Sequence, residues 1–341
     1  MENPPNVWLG LDFAPAKSVF YFPSDGGDCL PLRGPIQCQR VLEKVDLPIA
    51  MSKFGQKQAL DVHGLHTEYV PHATFPHIYY PKSPEEKEKL RSDVVVYDIH
   101  GRAFKGILKD KFVIGAVFRN QPRKMPDRMI LAIRLMRDLH FGNLNDVEPQ
   151  YHHLKDTEIV KNYPNIVVLW HCDPNDPAQH TPVSDMARLH KVEDKIFFTG
   201  MLITEMFPTS RMNDVYNLFD VFFLSTSGEG FGIPTIEAMS SGIPCAVTSG
   251  TTTEELLLDD GQCGTPIRHI GNYNNPIGAW SVRRMMMDVY HAVEVLNMYY
   301  VNPELRAKHG EVGRKKVIEQ YNWDTVGKKF DQLFTNLMEK P

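Results

Sequence analysis

The sequence lacks most of the features that mark the specialised classes of protein. Its five cysteines, Cys29, Cys38, Cys172, Cys245 and Cys263, lie far apart and include no C-x-x-C pair. An odd, unclustered set argues against a disulfide framework and a zinc ribbon, and is expected as buried thiols in a reducing compartment. There is no N-x-[ST] sequon, and no apolar run approaches the roughly 18–20 residues that cross a bilayer. The opening Met1-Glu-Asn-Pro-Pro5 has neither the basic nor the apolar region of a secretory signal. A cytoplasmic location without a transmembrane segment is expected.

Long basic runs are also missing, and the formal net charge is −5. Nucleic acid is therefore not expected as a partner, because a phosphate backbone calls for a basic stripe. No internal repeat or low-complexity tract is present. Gly228, Gly230 and Gly232 are followed by Ile233, so the dinucleotide fingerprint G-x-G-x-x-G fails, and G-x-x-x-x-G-K-[ST] is absent. Those absences count against a nicotinamide oxidoreductase and a P-loop enzyme. With no D-x-D and no His/Cys/Asp ligand cluster, no metal site is expected.

What is present is an ordinary globular composition, 42% hydrophobic and 23% charged, in 341 residues. That length suggests about two domains. Short β-rich runs alternate with helical patterns, the signature of parallel sheets with crossover helices. Val19–Phe22, Pro48–Met51 and Glu68–Val70 read as strands, and Glu85–Arg91 as a short helix. A second unit opens at the strand Lys111–Val117, followed by the helix Asp127–Leu139. Strands are expected at Ile166–Trp170, Ile196–Thr199, Val221–Ser225, Pro244–Thr248 and Cys263–Ile267. Helices are expected at Ser184–His190, Arg211–Phe219, Pro234–Ser240 and Thr252–Leu258. Three more, Ser281–Tyr299, Glu304–Glu319 and Trp323–Met338, close the chain. The fold class is α/β with two Rossmann-type units: 1–112, incomplete at three strands, and 113–320. Residues 321–341 form a C-terminal helix expected to pack back on the first unit.

The richest stretch is Ser225-Thr-Ser-Gly-Glu-Gly-Phe-Gly-Ile-Pro-Thr-Ile-Glu-Ala-Met239. It follows a strand, is dense in glycine and opens a helix with Pro234 in its first turn. Ligands of open α/β sheets bind at such strand-to-helix turns. Ile233 cannot cap the helix, which leaves first-turn amides for an anion. Gly230 and Gly232 allow close approach of a ligand. Glu229 and Glu237 could accept from the vicinal hydroxyls of a ribose or hexose. Taken singly, Glu237 reads equally as a dipole-favoured first-turn glutamate and Glu229 as a solvated loop charge. A second constellation, Arg119-Asn-Gln-Pro-Arg123-Lys124, places three cations at the end of a strand, either as a diphosphate clamp or as a solvated basic turn.

Glu229-Gly-Phe-Gly-Ile-Pro-Thr-Ile-Glu237 resembles the E-x7-E signature of retaining glycosyltransferases of the glycosyltransferase-1 group, family 4, which have the GT-B fold. Gly115–Lys124 resembles the motif that opens that family's C-terminal domain. Phe198-Thr-Gly200, Met212–Asp220, Ala238–Pro244 and Tyr321-Asn-Trp323 fall in the family's order. The resemblance is dense over 113–265 and extends over 19–335. It implies transfer of a hexose from a nucleoside-diphosphate sugar to an acceptor hydroxyl with retention, without metal or cofactor. Arg119 and Lys124, with Arg123 nearby, would hold the donor diphosphate, and Glu237 the ribose. Glu229 would contact the donor sugar, and the turn from Gly230 through Phe231, Gly232, Ile233 and Pro234 to Thr235 would touch sugar or phosphate.

The resemblance also places Val19–Gly26, Ala50–Gly55 and Tyr69–Ala73 as the last three strands of the family's N-terminal domain. Asp25 then falls beside the reacting centre, although a turn aspartate before Gly26-Gly27 fits the residues as well. His72 reads as interdomain packing. The family's first strand and its glycine-rich acceptor loop have no counterpart here. The acceptor (glycan, lipid or protein) is therefore expected to meet a short domain, completed by a second copy or another subunit. The alternative is a glycosyltransferase-like binding subunit that does not turn over alone.

Overall fold

The computed structural model describes residues 15–26, 41–176, 182–200, 207–277 and 280–339. Cys29 and Cys38 lie outside these residues. Cys172, Cys245 and Cys263 are free and buried. No helix among the described residues is long and apolar enough to cross a membrane.

Three strands, β1 (Val19–Phe22), β2 (Leu47–Ala50) and β3 (Glu68–Tyr69), form a parallel sheet in the order β1-β2-β3. The helix Lys53–His63 returns against it, capped by Ser52 at its start and by left-handed Gly64 at its end. Ala59 of that helix packs with Phe22, Leu42 and Ala50. A second apolar cluster joins Leu47, Ile49 and Val70 to Val326, Leu337 and the partly buried Phe330 of the C-terminal helix Trp323–Glu339. The small sheet is thus covered by the far end of the chain. The helix Lys53–His63 was not expected from the sequence, because Lys53-Phe-Gly-Gln-Lys is short of apolar periodicity.

The larger sheet has eight strands in the order β11-β10-β9-β6-β7-β8-β4-β5. Its central strand β6 (Phe112–Val117) is buried along its whole length. From β6 the chain steps outward through β7 (Ile166–His171) and β8 (Ile196–Phe198). It then crosses back to β9 (Val221–Leu224) on the other side of β6 and steps outward through β10 (Cys245–Thr248) and β11 (Gly264–Ile267). These six are parallel. The strand order reverses between β6 and β9, and this switch point opens a crevice at the carboxyl ends of the two strands.

Two features depart from the expected elements. Strands β4 (Val95–Tyr97) and β5 (Ala103–Lys105) extend the larger sheet antiparallel at its edge. That sheet therefore recruits residues ahead of the boundary drawn at 112. Secondly, the expected helix from Ser281 is a strand. Residues β12 (His269–Ile277) and β13 (Trp280–Met287) form an antiparallel hairpin, and the helix runs Val289–Val301, capped by Asp288. The run Arg283-Arg-Met-Met-Met287 favours helix locally, but Gly271-Asn-Tyr-Asn-Asn-Pro276 supplies a partner strand, and pairing overrides propensity.

The two sheets are joined by polar and aromatic contacts. Thr74 N donates to Tyr321 O at 2.8 Å. His72 sits among Tyr21, Phe231 and Trp323, with ring centroids 5.2–6.5 Å apart. The buried Glu255, on the larger unit, accepts from Lys53 N at 2.8 Å and Phe54 N at 3.3 Å, the open amides at the start of the helix Lys53–His63. Tyr69, Tyr321, Asp259 and the Lys53 ammonium also face it. Burial outweighs the amides and Lys53 and pushes its carboxyl up to about 7. Below the unfolded value of 4.5 both states hold the proton; above it the unfolded chain releases it first. Stability should therefore fall as pH rises from about 4.5 to 7, by about 2–4 kcal/mol from this group. Glu255→Gln should lack that loss, which urea unfolding from pH 4.5 to 8 checks.

Candidate active site

The turn after β6 runs Gln121-Pro-Arg-Lys-Met125 and tightens into one 3-10 turn, Pro122–Lys124. Met125 follows with a left-handed φ of 48° and starts the helix Pro126–His140. A bulky residue with positive φ is strained, and such strain persists only where neighbours over-determine it. Here the neighbours come from the turn after β9. Ser225 Oγ lies 2.9 Å from Lys124 O and 2.6 Å from Met125 O. Ser227 N and Oγ both donate to Arg123 O, at 2.7 and 2.9 Å. Strand pairing brings β6 and β9 together, and these serines sew their turns into one wall.

On that wall Lys124 and Glu229, each 5% exposed, form an ion pair of 2.5 Å. Arg123 Nη1 adds a contact of 3.3 Å to the other carboxylate oxygen of Glu229. Burial alone would raise Glu229, but the Lys124 and Arg123 charges hold its carboxyl below the ordinary range. Burial pulls the Lys124 ammonium down against the pull of Glu229. Each charge has the other as its nearest partner. Asp25, from the turn after β1, lies 3.7 Å from Arg123 Nε and 3.3 Å from Arg284 Nη2. Among the described residues, three cations (Arg123, Lys124, Arg284) thus meet two carboxylates (Asp25, Glu229), which leaves one positive charge in excess.

The glycine-rich turn is braced from β10: Thr251 Oγ1 accepts from Glu229 N and Thr252 Oγ1 donates to Phe231 O. The space at two of its glycines is taken by the chain's own first unit rather than left open. A Cβ on Gly228 would lie 2.0 Å from Asp25 O, and one on Gly230 would lie 2.6 Å from Pro23 Cβ. Gly232 is left-handed, with φ +100°, and starts the helix Ile233–Ser240 without a side-chain cap. Ile233 is exposed, Thr235 is buried, and Pro234 lines the adjoining cleft. The Phe231 ring is buried against His72 and Tyr321, so its side chain serves the junction of the two units.

Glu237 stands apart from the ion pairs. Tyr216 Oη donates to it at 2.6 Å, and burial raises its carboxyl, partly offset by bonds from Tyr216 and Tyr79. Nor does Arg119 join the cluster. Half exposed, it is held 2.8 Å from the buried Asp176. It lies beside a cleft of about 550 Å³ whose walls include His171, Asp173, Met212 and Pro234. Burial pushes His171 down to about 4, so its ring is neutral near pH 7, 2.7 Å from Thr199 Oγ1. A larger cleft of about 610 Å³ lies behind Thr199 and Phe207, lined by neither the cationic turn nor the glycine-rich one. No group of three or more possible metal ligands occurs among the described residues.

The sequence reading named Asp25, Arg123, Lys124 and Glu229, which meet here, and missed Arg284. Arg284 was hidden because its segment reads as helix. The turn-forming Asn272, Asn274, Asn275 and Pro276 were the signal for a hairpin. Tyr79, which holds Glu237 together with Tyr216, carries no motif, and Tyr216 lies within the segment Met212–Asp220 without a role assigned from the sequence.

Residues 140–272 match the model of the family described as Glycosyl transferases group 1. Mannosylfructose-phosphate synthase of Agrobacterium fabrum is 44% identical over 57 residues, which are 17% of this chain and 12% of that protein. The chain spans well under two thirds of the length of such curated relatives. Among solved structures, sucrose-phosphate synthase of Thermosynechococcus elongatus superposes with a TM-score of 0.65 at 15% identity, covering 95% of this chain and 68% of that one. Anabaena HepE, in complex with UDP and glucose, superposes with a TM-score of 0.62 at 13% identity, covering 93% and 71%. These likenesses show the GT-B fold.

Removing one member of the buried pair strands the other. Glu229→Ala should destabilise the protein by about 3–5 kcal/mol, while replacing both partners with apolar residues, Lys124→Met with Glu229→Leu, should cost much less. Urea unfolding of the two variants checks this. A single variant no less stable than the double one would show that the pair is uncoupled.

Proposed function

We propose that this chain is a member of the glycosyl transferases group 1 family and a retaining, metal-independent glycosyltransferase that moves a hexose from a nucleoside-diphosphate sugar to an acceptor hydroxyl. The observation that carries this reading is the excess positive charge at the switch point of the larger sheet. A buried cationic excess is costly until an anion joins it, and a diphosphate supplies that anion. The HepE structure, which contains UDP and glucose, supports a ligand of this class.

In this reading the nucleoside occupies the cleft beside Arg119, His171 and Pro234. The diphosphate lies against Arg123, Lys124 and the uncapped start of the helix Ile233–Ser240, where the helix dipole adds to the attraction. Glu237 accepts from the ribose hydroxyls. Glu229 holds Lys124 and Arg123 in place and offers its carboxylate edge to the sugar. The acceptor approaches from the side of Asp25. The bond from sugar C1 to the phosphate oxygen breaks while the acceptor oxygen bonds to C1 on the same face. The acceptor proton passes to the departing phosphate. The protein contributes orientation and fixed positive charge where negative charge develops on the leaving group. Because the cations do that work, no metal is required.

Incubation with a panel of UDP-, GDP- and ADP-sugars, with and without glycan, lipid and protein acceptors, tests this. Release of the nucleoside diphosphate is expected from one donor class, at a rate unchanged by excess EDTA. No release from any donor would overturn the proposal, and EDTA inhibition reversed by Mg2+ would overturn its metal independence. Arg119→Ala, at a half-exposed site, should weaken nucleoside-diphosphate binding by about 1.5–3 kcal/mol, as measured by calorimetry.

A further inference from the structure

The hairpin β12–β13 belongs to neither sheet, yet it reaches the cationic cluster. Met285 N donates to Ser227 O at 3.1 Å, fastening β13 to the turn after β9. On the other side β13 meets the first unit: a Cβ on Gly26 would lie 2.1 Å from Val282 Cγ1. Between these contacts lies Arg284, 3% exposed. Its Nη1 donates to the backbone oxygen of Asp25, and its Nη2 lies 3.3 Å from the Asp25 carboxylate. The buried Nε has no partner among the described residues. A Cβ on Gly228 would stand 3.2 Å from Nη1, so the guanidinium also borders the glycine-rich turn.

The hairpin gains little from burying an arginine, since the cation must be stripped of water. The cost is offset only if the charge does something at that place. Here its fork grips Asp25 by backbone and side chain together, a geometry that an ammonium cannot reproduce. The same Asp25 carboxylate lies 3.7 Å from Arg123, so the fork fixes a residue that borders the donor-side cations.

We propose that Arg284 is a positioning residue for group transfer. It sets Asp25, and through Asp25 the Arg123 guanidinium, at the border between donor diphosphate and acceptor. The inference rests on the glycosyltransferase reading above. Its role is in alignment rather than in donor contact, because its charge is matched by Asp25, and Arg123, Lys124 and the uncapped start of the helix Ile233–Ser240 remain to hold the diphosphate without it.

The test compares Arg284→Gln, Arg284→Lys and wild type, using the donor on which wild type turns over and the matching nucleoside diphosphate. For Arg284→Gln, kcat should fall on the order of 100-fold, the cost of a misplacement of about 1 Å. The dissociation constant for the nucleoside diphosphate should stay within about threefold, since alignment and ground-state binding separate in kcat and KM. Arg284→Lys keeps the charge but not the fork and should recover about tenfold or less of the loss. If Arg284→Gln loses nucleotide affinity and thermal stability in step with kcat, the residue is a structural prop and the inference fails. Unchanged kcat in Arg284→Gln overturns it as well, and so does full activity in Arg284→Lys. A wild type inert toward every donor overturns the glycosyltransferase reading itself, a result distinct from these.

Discussion

The structure turns on the buried ion pair between Lys124 and Glu229. Each residue sits on a turn that follows its own strand, about a hundred positions apart in the chain, and neither could be buried without the other. Once paired, they fix the turns after β6 and β9 relative to each other at the place where the sheet reverses its strand order. The serines at 225 and 227, the strained Met125 and the threonines at 251 and 252 all brace this one joint. What remains is a rigid wall with, among the described residues, more positive than negative charge, which has the properties of a preorganised anion site.

The first unit gives that wall its surroundings. The turn Pro23–Asp25 presses on Gly228 and Gly230, where no side chain would fit. Phe231, His72, Tyr321 and Trp323 seal the junction beneath it with aromatic contacts. The helix Trp323–Glu339 covers the small sheet on the side opposite the cluster of the helix Lys53–His63, through Val326, Phe330 and Leu337. Chemistry proposed for the crevice thus depends on how the two units are held together, and Glu255 and Arg284 are among the polar contacts that hold them.

Much of this was legible in the sequence, and the reasons differ by element. The parallel strands of the larger sheet are buried on both faces, so Val113–Val117 and Val221–Leu224 read as unbroken apolar runs. The E-x7-E stretch and the basic turn were legible because glycine, proline and charge cluster there against a plain background. The hairpin was not, because Arg283-Arg-Met-Met-Met287 consists of good helix formers and its partner strand lies across a turn. The edge strands β4 and β5 were missed because three-residue strands carry no period. Gly230 reads in the sequence as close approach of a ligand; that the first unit's own turn takes the space there and at Gly228 is a tertiary fact. The tyrosines that hold Glu237 are brought to it by packing alone.

The central claim is that the charge excess at the switch point is a diphosphate site. Calorimetry on the wild-type chain with a matched series of nucleoside, nucleoside monophosphate and nucleoside diphosphate tests it most directly. Affinity should rise on the order of 10- to 100-fold from nucleoside to diphosphate, as added charge-assisted bonds require, and most of that gain should vanish in Arg123→Ala. Equal affinity for the nucleoside and its diphosphate would contradict the account.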